Sequence, residues 1–395
     1  MGAPHRRPPT PVIGQSVVIV AACMALVALT STSRAAFVAT TATTGNSASA
    51  TDCFYSPTVQ SGTASNTSNG TQTITISSVD PAKAFLIFQT RHDLNRPVGS
   101  ILGGEIASAT TIEFTRNTNE SPVSSIGIQW YVIDYSCGVS VQRGTVAQTS
   151  SSVDVAITPV AALDQAFATF SKTVGANETQ WGHNDQTIVD LTSASNLQIR
   201  TDTSNSAHTI YWQVVEFTDP AMISVQRGTT AIPTGSLTAS VTLPTAVDTS
   251  RAFPLVSGLS DQQYLDELLL RTRLLSPTSL EIARGSSTDD MDEISWQVVE
   301  LLDGTSVQHV HTLLDPGDAS STVTISAIDV TRATAFAGTQ IGGGQNTGRT
   351  TYFADDILGV AAATFGVASS TEVTVTRTNT ADYGSFGWQV VEWGN

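Results

Sequence analysis

Four times along the chain a tryptophan opens nearly the same strand-like phrase. These are Trp130-Tyr131-Val132-Ile133-Asp134-Tyr135, Trp212-Gln213-Val214-Val215-Glu216-Phe217, Trp296-Gln297-Val298-Val299-Glu300-Leu301 and Trp388-Gln389-Val390-Val391-Glu392-Trp393. A second marker keeps almost the same period: Val59-Gln60-Ser61-Gly62, Val141-Gln142-Arg143-Gly144, Val225-Gln226-Arg227-Gly228 and Val307-Gln308-His309-Val310. A third is the pair Ala84-Phe85, Ala166-Phe167, Ala252-Phe253 and Ala335-Phe336. Three markers in one order over four copies mean one structural unit used four times.

Within each copy the apolar residues alternate with small polar ones. Val153, Val155 and Ile157 match Leu237, Ala239, Val241 and Leu243, and then Val323 and Ile325. Period two is the signature of a half-buried strand. The tryptophan phrase differs because both of its faces carry bulky residues, which predicts a strand lying centrally or against a neighbouring module. Ser, Thr, Asn, Gly and Pro turns separate five to seven strands per copy, and only Ser260 to Leu275 stands apart, as one helix or a wide strand. The expected fold is therefore all-β, a tandem array of four related β-sandwich modules at 58–138, 139–222, 223–304 and 305–395. A single propeller is the main alternative, but about 80 residues is nearly twice the usual blade. Between Phe336 and Thr371 the last copy carries an insertion that includes Gly342-Gly343-Gly344.

Ahead of the copies, Arg6 and Arg7 precede an apolar run from Val17 to Leu29 and a small-residue stretch at Ser33-Arg34-Ala35-Ala36. This is the pattern of a secretory signal peptide, 1–35, cut after Ala35, followed by an extended leader or tether, 36–57. No stable transmembrane segment is expected after cleavage, and the protein is expected to be secreted, at the cell surface or outside it. The stretch Ala36-Phe37-Val38-Ala39-Thr40-Thr41-Ala42-Thr43-Thr44-Gly45-Asn46-Ser47 resembles the start of the camelysin and TasA-type secreted biofilm-matrix proteins. That resemblance covers about 20 residues. Phe37-Val38-Ala39 stands where the family has Phe-Ser-Asp, and the body of the chain does not look like that family's. It implies export to an extracellular matrix and fibre assembly, and it transfers no catalytic residue.

Charge and cysteine usage narrow the function. The 18 Lys plus Arg against 34 Asp plus Glu give a net charge of -16, which repels nucleic acid. Of the three cysteines, Cys23 leaves with the signal. Cys53 and Cys137 flank the first module, where a disulfide would clamp its two ends.

No nucleophile elbow, phosphate loop, zinc helix or calcium loop is present, so no enzyme, cofactor or metal site is expected. His309 and His311 alternate on one strand without a third ligand and read as ordinary strand residues. His183-Asn184-Asp185 reads as turn chemistry, and Asp289-Asp290-Asp292-Glu293, Asp315-Pro316-Gly317-Asp318 and Asp355-Asp356 read as solvated acidic loops. Trp130, Trp212, Trp296 and Trp388, with Phe85, Phe167, Phe253 and Phe336, are the repeat-core or interface candidates. The recurring Gln142, Gln226 and Gln308, and Gln213, Gln297 and Gln389, can hydrogen-bond across strands or modules. Asn66, Asn69, Asn119 and Asn177 begin glycosylation sequons.

The function expected is a structural cell-surface or extracellular-matrix protein, the subunit of an ordered filament, with copies of itself as partner. The alternative is a carbohydrate-binding adhesin that meets surface glycans with exposed aromatic side chains.

Overall fold

Alternation in the sequence becomes strand after strand in the computed structural model. It describes residues 56–394 except 95, 118–124, 176–180, 183, 204–207, 262–264, 340–343 and 347–357. The first repeat contributes β1 (Thr58–Asn66), β2 (Gly70–Thr75), β3 (Ala84–Arg91), β4 (Leu102–Ser108), β5 (Thr111–Arg116) and β6 (Ile126–Asp134). The second contributes β7 (Val139–Gln148), β8 (Ser152–Ala156), β9 (Ala166–Thr173), β10 (Ile188–Ser193), β11 (Asn196–Arg200) and β12 (His208–Phe217). In the third are β13 (Ile223–Ile232), β14 (Thr238–Thr242), β15 (Ala252–Leu259), β16 (Arg271–Ser276), β17 (Ser279–Ala283) and β18 (Met291–Leu301). The fourth holds β19 (Ser306–Leu314), β20 (Ser320–Thr324), β21 (Ala333–Phe336), β22 (Gly344–Asn346), β23 (Ala363–Ser369), β24 (Glu372–Arg377) and β25 (Gly384–Glu392).

Strand pairing recurs with the repeats. Each inner sheet sets the tryptophan strand between the strand of the Val-Gln marker and that of the Ala-Phe marker: β1-β6-β3, β7-β12-β9, β13-β18-β15 and β19-β25-β21, with β22 added to β25. Each outer sheet repeats a second order: β2-β5-β4, β8-β11-β10, β14-β17-β16 and β20-β24-β23. All these pairings are antiparallel. The stretch 260–275 follows the end of β15 and holds one helical turn at Leu265–Leu268 and the start of β16. Its leucines 265, 268, 269 and 270 are buried in that repeat's core, the first three at the i, i+3, i+4 spacing that turns one face of the helical turn inward.

Register explains the conserved spacing of the markers. The marker glycine lies directly opposite the tryptophan in three repeats, Gly62↔Trp130, Gly144↔Trp212 and Gly228↔Trp296. A Cβ on these glycines would lie 2.5, 2.8 and 2.6 Å from the indole ring, so only glycine lets the ring lie flat across the neighbouring strand. The fourth repeat pairs Val310 with Trp388, and there the indole stacks on Phe365 at 5.0 Å and donates to Thr312 Oγ1 at 3.1 Å. The marker glutamine clasps the loop that follows the second strand of its own repeat. Gln60, Gln142, Gln226 and Gln308 each donate to and accept from one backbone residue, Ser77, Thr158, Thr245 and Ser326 respectively.

The two bulky faces of the tryptophan strand serve two different cores. Trp130 and Val132 enter the core between the two sheets of their own repeat, as do Trp212 and Val214, Trp296 and Val298, and Trp388 and Val390. The intervening residues, among them Tyr131, Ile133, Val215, Val299 and Val391, enter a fifth core that all four repeats share. Phe85, Phe167, Phe253 and Phe336 meet there edge to face at 5.9, 6.2 and 5.4 Å in turn, and Trp393 closes on Phe85 at 5.5 Å. At about 1.5–3 kcal/mol for each large apolar side chain fully buried, this hub is a major source of cohesion. The repeats are therefore not beads on a string, and all described residues belong to one compact unit.

Candidate functional site

Function in such a block is decided where repeats meet each other or water, and the seams are built from the outer sheet's last strand. β4 packs on the second repeat, β10 on the third, β16 on the fourth, and β23 returns to β3 and β6 of the first. Tyr131 donates its hydroxyl to Phe365 O at 2.9 Å across this last seam, between residues 234 positions apart. Burial raises the pKa of that phenol, which stays neutral as a donor.

Glutamine following the tryptophan ties repeat to repeat. Gln213 donates to Leu86 O and accepts from Leu86 N, both at 2.9 Å, and Gln297 does the same with Ala168 at 3.0 Å. Gln389 cannot copy this clasp. Pro254 stands where the earlier repeats have Leu86 and Ala168, and proline has no N–H. Gln389 Oε1 is accordingly buried without a donor, and the seam is joined instead through the backbone, Val256 N–H donating to Gly338 O at 2.5 Å. The arginines of the second marker add a further tie, with Arg143 donating to Ala84 O and Arg227 to Ala166 O. In the fourth copy His309 takes that role, its Nε2 3.0 Å from Thr249 O.

Each pair of residues preceding the tryptophans meets the repeat before it, and the four seams differ. Three and one positions before the tryptophan stand Gly127 and Gln129, Thr209 and Tyr211, Glu293 and Ser295, and Ser385 and Gly387. The Tyr211 ring lies against Gly103 and fills the first seam. In the second, Arg200 bridges Glu293 at 2.6 Å and Asp190 at 3.0 Å, and Ser295 donates to Asp190. The hydrogen bond from Arg200 holds the Glu293 carboxyl below its ordinary pKa. In the third, Arg271 pairs with Glu281 at 2.7 Å, donates to Ser385 Oγ at 2.9 Å, and lies 3.1 Å from His311 Nε2. The fourth seam is open: Thr63, Ser65, Arg91, Gln129, Thr364 and Thr374 are among the residues lining a groove of about 460 Å³.

The residues singled out in the sequence fall mostly into the framework. The four repeat tryptophans are buried, from 0% to 8% exposed, and so present no face on which a sugar could stack. His309 and His311 do not converge, since one contacts the third repeat's backbone and the other Arg271. Desolvation first, and then the nearby Arg271 and Arg273, push the His311 pKa down to about 4. Asp290 and Asp292 of the acidic loop approach Asp261, a residue the sequence did not connect with them, with carboxylate oxygens within 4.8 Å of one another. Glu293 of the same loop is taken by Arg200. Asp315 and Asp318 offer backbone carbonyls to the buried Arg377. Asn66 is 1% exposed, which leaves its sequon no room for a glycan. Cys53, His183, Asn119, Asn177, Asp355, Asp356, Gly342 and Gly343 lie outside the described residues, and with Cys53 the proposed bridge to Cys137.

Three buried arginines were invisible in the sequence. Arg116, Arg284 and Arg377 are 0%, 1% and 1% exposed and donate to loop carbonyls, such as Asn66 O and Gly99 O, Pro233 O and Ser236 O, and Asp315 O and Asp382 O. Each closes the loops at one end of its repeat by satisfying several acceptors at once. Their signal is an arginine at the end of the strand before the tryptophan strand, masked by loops of different length.

A cavity of about 160 Å³ is lined by Phe167, Phe253 and Phe336 of the hub and by Gln89, Ser257 and Ser295, among others. Among the described residues no helix is long and apolar enough to cross a membrane. No protein-family model matches the chain, and no curated protein resembles it significantly.

Proposed function

We propose that the chain is an exported structural protein of a cell surface or extracellular matrix, built from four related β-sandwich modules and acting as the subunit of an ordered filament. The observation that carries this reading is the row of outer edge strands. β2, β8, β14 and β20 read Gly-Thr-Gln-Thr-Ile-Thr, Ser-Val-Asp-Val-Ala, Thr-Ala-Ser-Val-Thr and Ser-Ser-Thr-Val-Thr. Among the described residues each pairs on one side only, and one residue in two is turned to water. Edge strands that must stay solitary usually carry lysine, proline or a bulge, and these four hold a single charge, Asp154. Their backbone groups and threonine rows suit strand addition from another copy. The hub makes the block stiff enough to transmit such contacts, and the signal pattern and the resemblance of 36–47 to camelysin and TasA-type proteins favour export to a matrix.

In this reading Ala36 to Ala50 is a tether between subunits, and a Cys53–Cys137 disulfide fastens the leader to the first module. Peptide mapping of the non-reduced mature protein should recover both cysteines in one linked species. Electron microscopy of the signal-cleaved chain over a concentration series tests assembly. Filaments are expected, and Ser240→Lys with Thr322→Lys, both at exposed edge positions, should suppress them. Monomers persisting at every concentration would reject the reading.

A further inference from the structure

We propose that the open seam between the fourth and first repeats is a binding site for an acidic saccharide, with the sugar carboxylate seated on Arg91. The inference is independent of filament formation and rests on how this seam departs from the other three. Those are closed by a tyrosine ring or by an arginine already neutralised by carboxylates. Here the positions that carry Tyr211 and Glu293 elsewhere are Gln129 and Gly127, and the facing strand presents Gly366.

Arg91 is held in place by one of these absences. It pairs in register with Gly127, and a Cβ there would come within 2.9 Å of Arg91 Nε and 3.0 Å of its Cγ. The arginine side chain therefore lies across the space of a missing side chain, at the position where the third repeat supplies the carboxylate of Glu293. Among the described residues Arg91 makes no ion pair, in a chain whose net charge is -16. A guanidinium left half-buried beside a groove is a fork with two parallel donors for one carboxylate.

The walls specify the rest of the ligand. Thr63, Ser65, Thr364, Thr374 and Thr376 bring hydroxyls that can donate or accept, and Gln129 brings an amide. One cation among many neutral hydrogen-bonding groups matches a singly charged, polyhydroxylated molecule. Phosphate would call for a second cation, and a peptide for apolar pockets. About 460 Å³ accommodates one or two sugar rings. The chain's overall negative charge does not forbid this, because fields from residues beyond about 8 Å are screened at physiological salt.

The test is isothermal titration of the signal-cleaved chain with galacturonate, its neutral methyl ester, and sodium acetate. Binding of the acid and loss of binding on esterification are expected, with acetate too weak to saturate. Arg91→Gln should weaken binding by about tenfold or more, as losing a charge-assisted hydrogen-bond pair does. Gly366→Tyr, which fills the groove from the opposite wall and leaves Arg91 intact, should also abolish it, with an unchanged circular dichroism spectrum. Equal affinity for acid and ester, acetate as good as the saccharide, no binding by the parent chain, or binding unaffected by both substitutions would each overturn the proposal.

Discussion

Two glutamines at equivalent positions should respond in opposite ways to the same change. Gln213→Leu leaves both backbone groups of Leu86 unpaired in a buried place and should destabilise the protein by about 2 kcal/mol or more. Gln389→Leu removes an acceptor that already lacks its donor, and should be neutral or stabilising in the same chemical denaturation experiment. The sequence shows the glutamines recurring, and it also shows Pro254 where a hydrogen-bond donor is needed. What it hides is that these two observations belong to one contact, because the clasp runs between repeats. The same holds for Arg91 and Glu293. Each is plain in the sequence, but their opposite fates follow from a superposition of seams that only the fold supplies.

At the scale of the strand, period-two alternation marks the strands, and it shows only half of what they pack against. Bulky residues on both faces of the tryptophan phrase imply two packed surfaces, and the second of these is a hub shared by four repeats. The sequence left open whether that surface met a neighbour or completed a single sandwich, since periodicity reports which residues are buried and not against what. The Val-Gln-x-Gly marker has a similar history: its regularity was evident, whereas its cause is the tryptophan ring lying over the opposite strand. Gly228→Ala should therefore destabilise the third repeat by about 1–3 kcal/mol through overpacking. Val310→Gly should also destabilise, because Trp388 packs on Phe365 and leaves a void where the valine stood. Thermal melts of the two variants check the pair.

For the whole molecule, proton linkage should be visible in its stability. His92 and His208 are buried, and desolvation lowers both to about 3, while His311 is lowered to about 4. Their ordinary value is 6.5, so below it the unfolded chain takes up protons that the folded chain refuses. Stability from these groups is complete above pH 6.5 and falls as pH drops through the window toward the folded values. Between pH 6.5 and about 5 the slope should approach 1.4 kcal/mol per pH unit for each histidine. His92→Asn keeps an acceptor for the Leu94 N–H and removes one titrating group, so it should flatten the slope by about that amount in urea titrations across pH. An unchanged slope would show that His92 does not titrate on unfolding.

The last seam joins the fourth repeat to the first as directly as any other seam joins successive repeats. A closed cycle has no preferred starting point, so chain order and spatial order are separable here. Circular permutants that open the chain between repeats and link its natural ends should fold to the same structure with similar stability. Their folding kinetics should differ little as well, because every permutant must still close one contact between its most distant segments. That closure makes the contact order high for an array of such small units, and it places refolding with the slow all-β proteins rather than with stacked repeats that zip up neighbour by neighbour.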